Sequence, residues 1–462
     1  MKQNEALSLL MMGHNVFLTG QAGSGKTYLL NEYSNFLKKN KIGVAVTATT
    51  GIAATHLNGF TIHSWSGIGI KKEITEKEIH KLNANPRLRE RIQAAKVLII
   101  DEISMFHSYR LDAVNKICKI IRNNAEPFGG LQVIFCGDFF QLPPVNDKDY
   151  PTSSFAYKSD SWGELGLKIC YLDEQHRQWD EDYLRVLNDI RSREVSEGTF
   201  EKLASRVNGK IANDIYTTKF YSHNVDVDAI NNFELSKINK PEFVYEMQFK
   251  GKEALVDTLK KGCLAPVNLV LKGGAVVMFV KNNPGKGYIN GTLGRVIDFD
   301  SDKFPIIKTY SGKEVVAKPT SWTFEENEVI LAEISQVPLR LAWAITVHKS
   351  QGMSLDVAEV DLSKSFTYGM GYVALSRLRS LDGLRLLGIN QMALQVDDEV
   401  AEIDLIFKEQ SESAVAELKE LSNEELKSKQ RKYLNKILPK DDQLENEATF
   451  KALYNKFFGN NS

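Results

Sequence analysis

The fold of this 462-residue chain is decided by the stretch Gly20-Gln21-Ala22-Gly23-Ser24-Gly25-Lys26-Thr27. It fits the pattern G-x-x-x-x-G-K-[ST], follows the apolar run Val16-Phe17-Leu18, and precedes a helix predicted over Tyr28 to Lys38. A strand, a glycine-rich loop and a helix in this order form a phosphate-binding loop, in which backbone N–H groups surround the phosphates. We expect the phosphate-binding residues of a nucleoside triphosphate site to be Gly20, Ala22, Gly23, Ser24, Gly25 and Lys26, with Thr27 on Mg²⁺.

A second run, Val97-Leu98-Ile99-Ile100-Asp101-Glu102, ends in two carboxylates. The carboxyl ends of parallel strands share one edge of a sheet, so these carboxylates should lie beside the phosphate loop. We expect Asp101 to hold Mg²⁺ and Glu102 to be the base that orients and deprotonates the attacking water.

Phosphoryl transfer also needs positive charge at the γ-phosphate, usually from an arginine on an opposing surface. Arg177 and Arg377 are candidates, but sequence chemistry alone cannot separate them from the rest of the 58 Lys and Arg residues. Gln3 could bind the adenine edge, and an exposed glutamine without a ligand is an equally good interpretation.

The pattern of apolar runs predicts two α/β units, the second split by a β insertion. Continuous apolar runs at Val44–Val46 and Val133–Phe135 are typical of parallel strands covered on both faces, and Ala358–Leu362 and Leu384–Leu387 again resemble buried strands. Glycine and asparagine turns separate short strands predicted at Ala275–Val280, Arg295–Phe299 and Ile306–Tyr310, which indicates a small antiparallel barrel. The charged stretch Lys71–Arg91 predicts a helical insertion in the first unit.

The composition is that of a folded protein without a membrane span, because 25% of residues are charged and no run of about 18 apolar residues occurs. The polar start Met1–Glu5 argues against a secretory signal. The four cysteines form no CxxC pair, which argues against a disulfide framework or zinc ribbon and favours a reducing compartment. A cytoplasmic location is therefore expected.

The formal net charge of −1, taken alone, argues against a nucleic-acid partner. Residues 391–462 contain 10 basic and 15 acidic residues, so the other 390 residues keep 48 of 58 basic and 44 of 59 acidic residues, a net of +4. The acidic end has Leu and Ile at helical spacing, which predicts a helical extension packed on the main body. An arm that binds a partner is the alternative.

The ordered motifs resemble those of a superfamily 1B helicase. The resemblance rests on the segments Gly20–Thr27, Thr47–Ala54, Thr61–Trp65 and Ile100–Met105. It narrows to the petite-integration-frequency (PIF) type of 5′-to-3′ DNA helicase through the segments Leu111–Asp112, Pro127–Gln132, Gly137–Val145, Leu339–Gly352 and Val373–Arg377. It covers residues 3 to about 390, and a RecD-like or conjugative helicase is the nearest alternative.

The resemblance implies an α/β fold with two RecA-like P-loop NTPase domains, parallel sheets, and ATP with Mg²⁺ between the domains. It also implies a small helical/β insertion in the first domain and an SH3-like β-barrel insertion in the second. The expected ranges are 1–175 for the first domain with its insertion at about 68–95, 176–236 and 334–390 for the second, 237–333 for the barrel, and 391–462 for the extension.

The resemblance also assigns roles to single residues. It implies that Gln141 senses the γ-phosphate, that Arg177 and Arg377 reach it from the second domain, and that Gln3 belongs to an adenine motif. Gln351 and Gly352 complete the nucleotide site. The single-strand track is expected to contain Thr50, His63, Trp65, Phe139, Pro143, His348 and Lys349. Trp65 and Phe139 are expected to stack on bases, with core packing as the alternative.

The sequence thus predicts an ATP-dependent 5′-to-3′ DNA helicase, monomeric, acting on single-stranded and forked or partial duplex DNA. Motifs that start at Gln3 favour a bacterial or viral origin. G-quadruplexes and RNA–DNA hybrids stay open as substrates. A regulatory P-loop ATPase without nucleic acid is the rival in another class, and the Gly137–Val145 and His348 motifs argue against it. A DNA-binding scaffold with a degenerate site is disfavoured by the intact Lys26, Thr27, Glu102 and Gln141.

Overall fold

The structure of the chain is a computed structural model. It describes residues 1–57, 59–69, 74–144, 154–178, 180–207, 209, 218–221, 227–326, 329–347 and 353–439. Four residues of the expected site, His348, Lys349, Gln351 and Gly352, lie outside the described residues.

The first sheet has six parallel strands. They are β1 (Val16–Gly20), β2 (Val44–Ala48), β3 (Phe60–Thr61), β4 (Val97–Asp101), β5 (Gln132–Cys136) and β6 (Lys168–Leu172). Their order across the sheet is β3-β2-β4-β5-β1-β6, and all neighbouring pairs are parallel. Every residue of β1, β4 and β5 is buried, as expected for a parallel sheet covered on both faces. The four apolar runs predicted as strands in this region are all confirmed.

Eight helices surround this sheet among the described residues. They are α1 (Gln3–Met11), α2 (Lys26–Lys39), α3 (Gly51–His56), α4 (Ile62–Ser66), α5 (Glu76–Asn83), α6 (Pro86–Ala94), α7 (Ser108–Arg122) and α8 (Asp160–Glu164). Helices α5 and α6 lie in the predicted charged insertion. The Thr75 hydroxyl caps α5, and Asn85 followed by Pro86 starts α6, so the helical prediction for this insertion is confirmed over residues 76–94.

The later strands fall into a second parallel sheet and three antiparallel ones. In chain order they are β7 (Thr218–Tyr221), β8 (Glu242–Glu246), β9 (Gln248–Gly251), β10 (Asn268–Lys272), β11 (Val276–Phe279), β12 (Leu293–Phe299), β13 (Pro305–Thr309), β14 (Glu314–Val316), β15 (Thr320–Glu326), β16 (Val329–Gln336), β17 (Leu339–Leu341), β18 (Ala344–Thr346), β19 (Ala358–Leu362) and β20 (Leu384–Ile389). The second parallel sheet has the order β18-β7-β19-β20. Strand β19 has the predicted bounds, and β20 extends two residues beyond the prediction.

The segment between these parallel strands is antiparallel, as its turns predict. Its largest sheet has the order β14-β13-β12-β11-β17, beside a three-stranded sheet β15-β16-β9 and the pair β10-β8. Val277, Phe279, Val296 and Ile307 are fully buried in the core of this segment. Strand β17 of this sheet lies beyond residue 333, the expected end of the barrel. The SH3-like character of the segment stays a prediction.

The other helices are α9 (Glu181–Ser192), α10 (Glu197–Ala204), α11 (Val227–Ser236), α12 (Glu253–Gly262), α13 (Met370–Leu375), α14 (Asp398–Glu420) and α15 (Asn423–Ile437). Helices α14 and α15 belong to the acidic extension and pack on the first sheet. The backbone N–H of Tyr171 in β6 donates to Ser411 Oγ of α14 at 3.0 Å, and the Tyr433 hydroxyl of α15 donates to Gln132 Oε1 at 2.7 Å. The described part of the extension is thus packed on the main body.

Among the described helices, none combines the length and apolar character needed to cross a membrane. The four cysteines are buried free thiols.

Candidate active site

A cavity of about 760 Å³ collects most of the residues expected at the nucleotide site. Its lining from the first sheet and its loops includes Gly23, Gly25, Lys26, Thr27, Asp101, Glu102 and Gln141. Arg177 and Arg377 line it from the other side, after the last strand of the first sheet. The antiparallel segment also contributes, through Asn282 and Asn290. Residues far apart in sequence therefore meet at one cleft, as the ordered motifs predict.

Two glycines give the phosphate loop its shape. Gly23 and Gly25 have φ angles of +93° and +85°, in the left-handed region that side chains disfavour. A Cβ on Gly25 would lie 2.1 Å from Gln3 Nε2, and one on Gly23 would lie 2.6 Å from Arg177 Cβ. Helix α2 starts directly after Gly25, so its free N–H groups face the cleft.

Lys26 is held by its own loop. Its ammonium group donates hydrogen bonds to the carbonyl oxygens of Gly20 and Gln21, each at 2.8 Å. Burial lowers the pKa of Lys26, and the nearby Asp138 carboxylate opposes this shift. A cation in this buried position is stabilised when an anion such as a phosphate approaches it.

Asp101 and Glu102 form an acidic pair at the end of β4. Asp101 is buried, its Oδ1 accepts the N–H of Glu102 at 2.8 Å, and burial raises its pKa. Glu102 has φ +55°, a left-handed conformation that costs a non-glycine residue about 1–3 kcal/mol. The Thr49 hydroxyl donates to the Glu102 carbonyl at 2.8 Å and helps to hold it. Strain of this kind is typical of functional residues, and it aims the Glu102 side chain away from the regular course of the strand.

Gln141 and Arg377 join the two sides of the cleft. Arg377 Nη2 donates to Gln141 Oε1 at 3.1 Å, and Arg377 Nε donates to the Val373 carbonyl at 3.0 Å. Both side chains are buried. The Val373 contact fixes the stem of the guanidinium, so its outer nitrogens point at the residue expected to sense the γ-phosphate.

Arg177, which is half-buried, lies beside the buried Arg377. Its Nη1 donates to the Ser376 carbonyl at 3.1 Å. Burial, together with repulsion from Arg377, lowers the pKa of Arg177 to about 9. Burial also lowers the pKa of Arg377. Two neighbouring cations disfavour each other, and an anionic polyphosphate between them would offset that repulsion.

Gln3 lies against the outer side of the phosphate loop. Its Nε2 is 3.5 Å from the Ser24 carbonyl oxygen and 3.3 Å from His176 Nε2, and its backbone N–H donates to Glu174 Oε2 at 3.0 Å. Since His176 lines the cavity, the Gln3 amide lies beside its wall. This position suits a residue that recognises the base of the nucleotide.

Three residues of the expected DNA track, Thr50, His63 and Pro143, are only partly buried. The Thr50 hydroxyl accepts the Ala53 N–H at 3.2 Å and caps α3, and Thr50 also lines the cavity. His63 Nε2 is 3.2 Å from Arg110 Nη1; burial and this cation lower its pKa to about 4, so the ring is neutral at pH 7. Pro143 is half-buried.

The rings of Trp65 and Phe139 pack in the core, which is the alternative considered for them above. Neither ring is therefore available to stack on a base in this structure. Trp65 is 1% exposed, and Phe139 is 5% exposed. The Phe139 ring lies 4.9 Å from Tyr157 and 5.4 Å from Phe17, and it also contacts Phe407 of α14. Phe139 thus belongs to an aromatic cluster whose apolar area is stabilising because it is buried, and Trp65 is part of the same hydrophobic core.

The sequence does not single out three residues that lie behind the cleft. Asp138, Arg191 and Tyr372 form a buried hydrogen-bonded group behind Gln141. The sequence does carry a signal for Arg191: it follows Tyr183 and Leu187 at spacings of four, which places a charged residue on the buried face of α9.

Comparisons with known proteins agree with this geometry. Residues 4–208 match the model for PIF1-like helicases, and residues 254–299 match the model for the 2B domain of DNA helicase Pif1. The ATP-dependent DNA helicase Pif1 of Psychrobacter sp. (strain PRwf-1) is 43% identical, and the match covers 94% of this chain and 75% of that protein.

Solved structures of Bacteroides Pif1 are also similar. The complex with ADP-AlF4 has a TM-score of 0.78 at 30% identity, covering 88% of this chain and 96% of that one. The ssDNA-bound structure has a TM-score of 0.62 at 31% identity, covering 90% of this chain and 98% of that one. Two RecA-like domains are the fold that these similarities support. The chain belongs to the PIF1 family of superfamily 1B helicases.

Proposed function

We propose that this ATP-dependent DNA helicase moves 5′ to 3′ along single-stranded DNA and opens forked or partial duplexes ahead of it. The hydrogen bond from Arg377 to Gln141 is the observation that carries the ATP-driven part of this proposal, and the 5′-to-3′ direction rests on the family resemblance alone. This hydrogen bond joins the two halves of one cleft at the place where the γ-phosphate is expected. A γ-phosphate that engages both residues would hold the halves together, and its loss would release them, which is the cycle a translocase needs.

Each step of ATP hydrolysis is assigned to residues that line the cleft. Lys26 and the N-terminus of α2 bind the phosphates, and Glu102 takes the proton of the attacking water. Asp101 and Thr27 offer a carboxylate and a hydroxyl oxygen, the hard ligands that suit Mg²⁺, which neutralises phosphate charge when bound. Arg177 and Arg377 stabilise the charge that develops on the γ-phosphate.

The proposed DNA track includes Thr50, His63 and Pro143, together with His348 and Lys349. A neutral His63 can donate or accept a hydrogen bond without adding charge. Such contacts are weak enough to be released in every cycle, as a moving enzyme requires. Trp65 and Phe139 do not belong to this proposed surface, since both are buried.

We further propose that one chain is sufficient for catalysis. Both halves of the nucleotide cleft come from this chain, because the phosphate loop and Arg377 line one cavity. A second copy is therefore not needed to complete the site.

The directional part of the proposal is tested with tailed duplexes. A duplex carrying only a 5′ single-stranded tail is expected to be opened in the presence of ATP and Mg²⁺, whereas one with only a 3′ tail is not. Strand separation is followed on a gel or by the gain in fluorescence of a quenched label. Efficient opening of the 3′-tailed duplex would show that the direction is wrong.

The same preparation separates a helicase from a regulatory ATPase. Single-stranded DNA is expected to raise the rate of ATP hydrolysis, because DNA across both domains favours the closed cleft. A rate that is the same with and without DNA would contradict coupling between the track and the cleft.

Binding of single-stranded DNA is expected to depend only modestly on salt. Residues 1–390 carry a net charge of only +4, from 48 basic and 44 acidic residues, so few phosphates should be neutralised. With about three to five phosphate contacts, the slope of log K against log salt concentration should be about −2 to −3.5. The slope is measured by fluorescence anisotropy of labelled oligo-dT at several salt concentrations. A slope steeper than about −6 would indicate a broad basic surface instead.

A further inference from the structure

One carboxylate of helix α14 in the acidic extension, that of Asp404, is buried in the interior behind the nucleotide cleft. Asp404 is 6% exposed although it lies on a helix rich in exposed acids. Its Oδ1 accepts Arg191 Nη2 at 3.3 Å, and its Oδ2 accepts the Tyr171 hydroxyl at 3.2 Å. Lys408, one turn further along, pairs with it at 2.9 Å from the surface. Burying a carboxylate costs free energy of folding unless the carboxylate is paired, so the partners of Asp404 are of interest.

Arg191 is shared between Asp404 and a second buried carboxylate. Its Nη1 donates to both oxygens of Asp138, at 2.8 and 3.0 Å, and its guanidinium carbon lies 4.1 Å from the centre of the Phe140 ring. Burial lowers the pKa of Arg191, but the neighbouring groups Asp138, Tyr171, Tyr372 and Asp404 together more than offset this, so its pKa is raised well above its ordinary value. The guanidinium is thus a permanent cation whose position is set by two anions on opposite sides.

Asp138 in turn holds the residue expected to sense the γ-phosphate. Its Oδ2 accepts Gln141 Nε2 at 3.3 Å, and its Oδ1 accepts the Phe140 N–H at 3.2 Å. The other end of the Gln141 amide accepts Arg377 Nη2 at 3.1 Å. The orientation of the Gln141 amide is therefore fixed by an anion at one end and a cation at the other.

Tyr372 connects the same carboxylate to the phosphate loop. Its hydroxyl lies 3.4 Å from Asp138 Oδ2, accepts Arg191 Nη1 at 3.1 Å, and accepts the backbone N–H of Ala22 at 3.3 Å. An unbroken path of buried hydrogen bonds thus leads from Asp404 on α14 to both the γ-phosphate sensor and the phosphate loop.

We propose that Asp404 is a positioning residue for ATP hydrolysis, which acts through Arg191 and Asp138 on the Gln141 amide. This inference rests on the proposed role of Gln141. Without the Asp404 charge, Arg191 would be drawn toward Asp138 alone and would compete with the Gln141 amide for the same carboxylate oxygens. The acidic extension, through α14, is then part of the nucleotide machinery and not only a cover for the first sheet.

The test is Asp404→Asn in the full chain, which keeps the shape of the side chain and removes its charge. We expect kcat for DNA-stimulated ATP hydrolysis to fall by about 3- to 30-fold, the range found for coupling through packed networks. KM for ATP should change by less than about twofold, because the phosphate-loop contacts that bind the ground state remain. Asp404→Glu, which restores the charge, should recover part of kcat.

A matched control and a milder variant keep the result interpretable. Glu417→Gln removes another acid of α14, which pairs with Lys168 at 2.5 Å but is 57% exposed, and it should leave kcat unchanged. Tyr171→Phe removes only the hydroxyl that bridges Arg191 and Asp404, so it tests the same path if Asp404→Asn folds poorly. It should lower kcat in the same direction with KM for ATP retained.

A double variant separates this inference from the function on which it rests. If Asp404 acts through Gln141, Asp404→Asn should lower kcat by less than about twofold when added to Gln141→Ala. Additive effects of the two substitutions, or a kcat for Asp404→Asn equal to that of the unaltered chain, would contradict the positioning role. A Gln141→Ala chain with unaltered hydrolysis would instead overturn the proposed sensor itself.

Discussion

Lys26→Ala is expected to lower the rate of ATP hydrolysis by about 10³-fold and to abolish duplex opening. In the structure the ammonium group already lies among the carbonyl oxygens of the phosphate loop, where burial lowers its pKa. A bound phosphate would take over these contacts. Alanine removes the cation that lies in the phosphate loop and would offset the β- and γ-phosphate charge. Steady-state ATPase assays and gel-based unwinding measure both effects.

The binding of single-stranded DNA by the same variant should be largely intact, because the Lys26 ammonium group donates its hydrogen bonds to Gly20, Gln21 and Ser24 of the phosphate loop. Lys39→Ala is the matched control, since Lys39 ends the same helix and is exposed. It should leave hydrolysis and unwinding unaltered. Unwinding by Lys26→Ala at the normal rate would refute the assignment of the nucleotide site.

Six of the ten strands in the two parallel sheets could be predicted, because they are short and mostly apolar segments. All five residues of Val97–Asp101 and four of the five in Ala358–Leu362 are buried, which is typical of strands covered on both faces. The phosphate loop is predictable for a similar local reason. Its glycines are required by left-handed φ angles within a single loop, at Gly23 and Gly25.

The motif alone could not predict whether an aromatic side chain points into the core or toward the DNA track. Trp65 and Phe139 occur in motif segments that are expected to line the DNA track, but their own rings are buried in the core. A large ring gives the same sequence signal whether it stacks on a base or fills an interior. The three-dimensional position of the sheet beneath these segments decides between the two, and that position depends on α8 and α14 as much as on the motif.

The network behind Gln141 is unpredictable for a different reason. Asp138, Arg191 and Asp404 are brought together from a strand end, a helix and a C-terminal extension, across 213 residues between Arg191 and Asp404. No local spacing links them. The sequence marks Arg191 as a charged residue on an apolar helix face, but only the fold identifies the two anions that make such burial tolerable.

Arg377 is the second residue for which a large effect is expected. Arg377→Ala should lower DNA-stimulated ATP hydrolysis by about 10³-fold or more, the usual loss when an arginine that stabilises the γ-phosphate is removed. The side chain is aimed at the site in advance: its Nε is held by the Val373 carbonyl and its Nη2 by Gln141 Oε1. ATP binding should weaken far less, because charge on the transferred phosphoryl group increases only toward the transition state.

Arg377→Lys distinguishes charge from geometry. A lysine retains the cation but has no planar fork, so it cannot donate to Val373 and Gln141 while it also reaches a phosphate. We therefore expect the lysine variant to recover less than about a tenth of the lost rate. Arg385→Ala is the control: this arginine of the second parallel sheet pairs with Glu359 at 2.8 Å, outside the cleft lining, and its loss should not alter hydrolysis.

The stability of the Arg377 variants must be measured alongside their activity. Removing a buried donor leaves Gln141 Oε1 without this hydrogen bond, which costs about 1–3 kcal/mol of the free energy of unfolding and should lower the midpoint of thermal unfolding. A catalytic role predicts that hydrolysis is lost even well below that midpoint, with ATP binding largely retained. If hydrolysis instead falls only in proportion to the unfolded fraction, Arg377 holds the two halves of the cleft together and does not stabilise the γ-phosphate. Full activity in a folded Arg377→Ala chain would leave Arg177 as the arginine that reaches the phosphate, since it lines the same cavity and donates to Ser376, the residue next to Arg377.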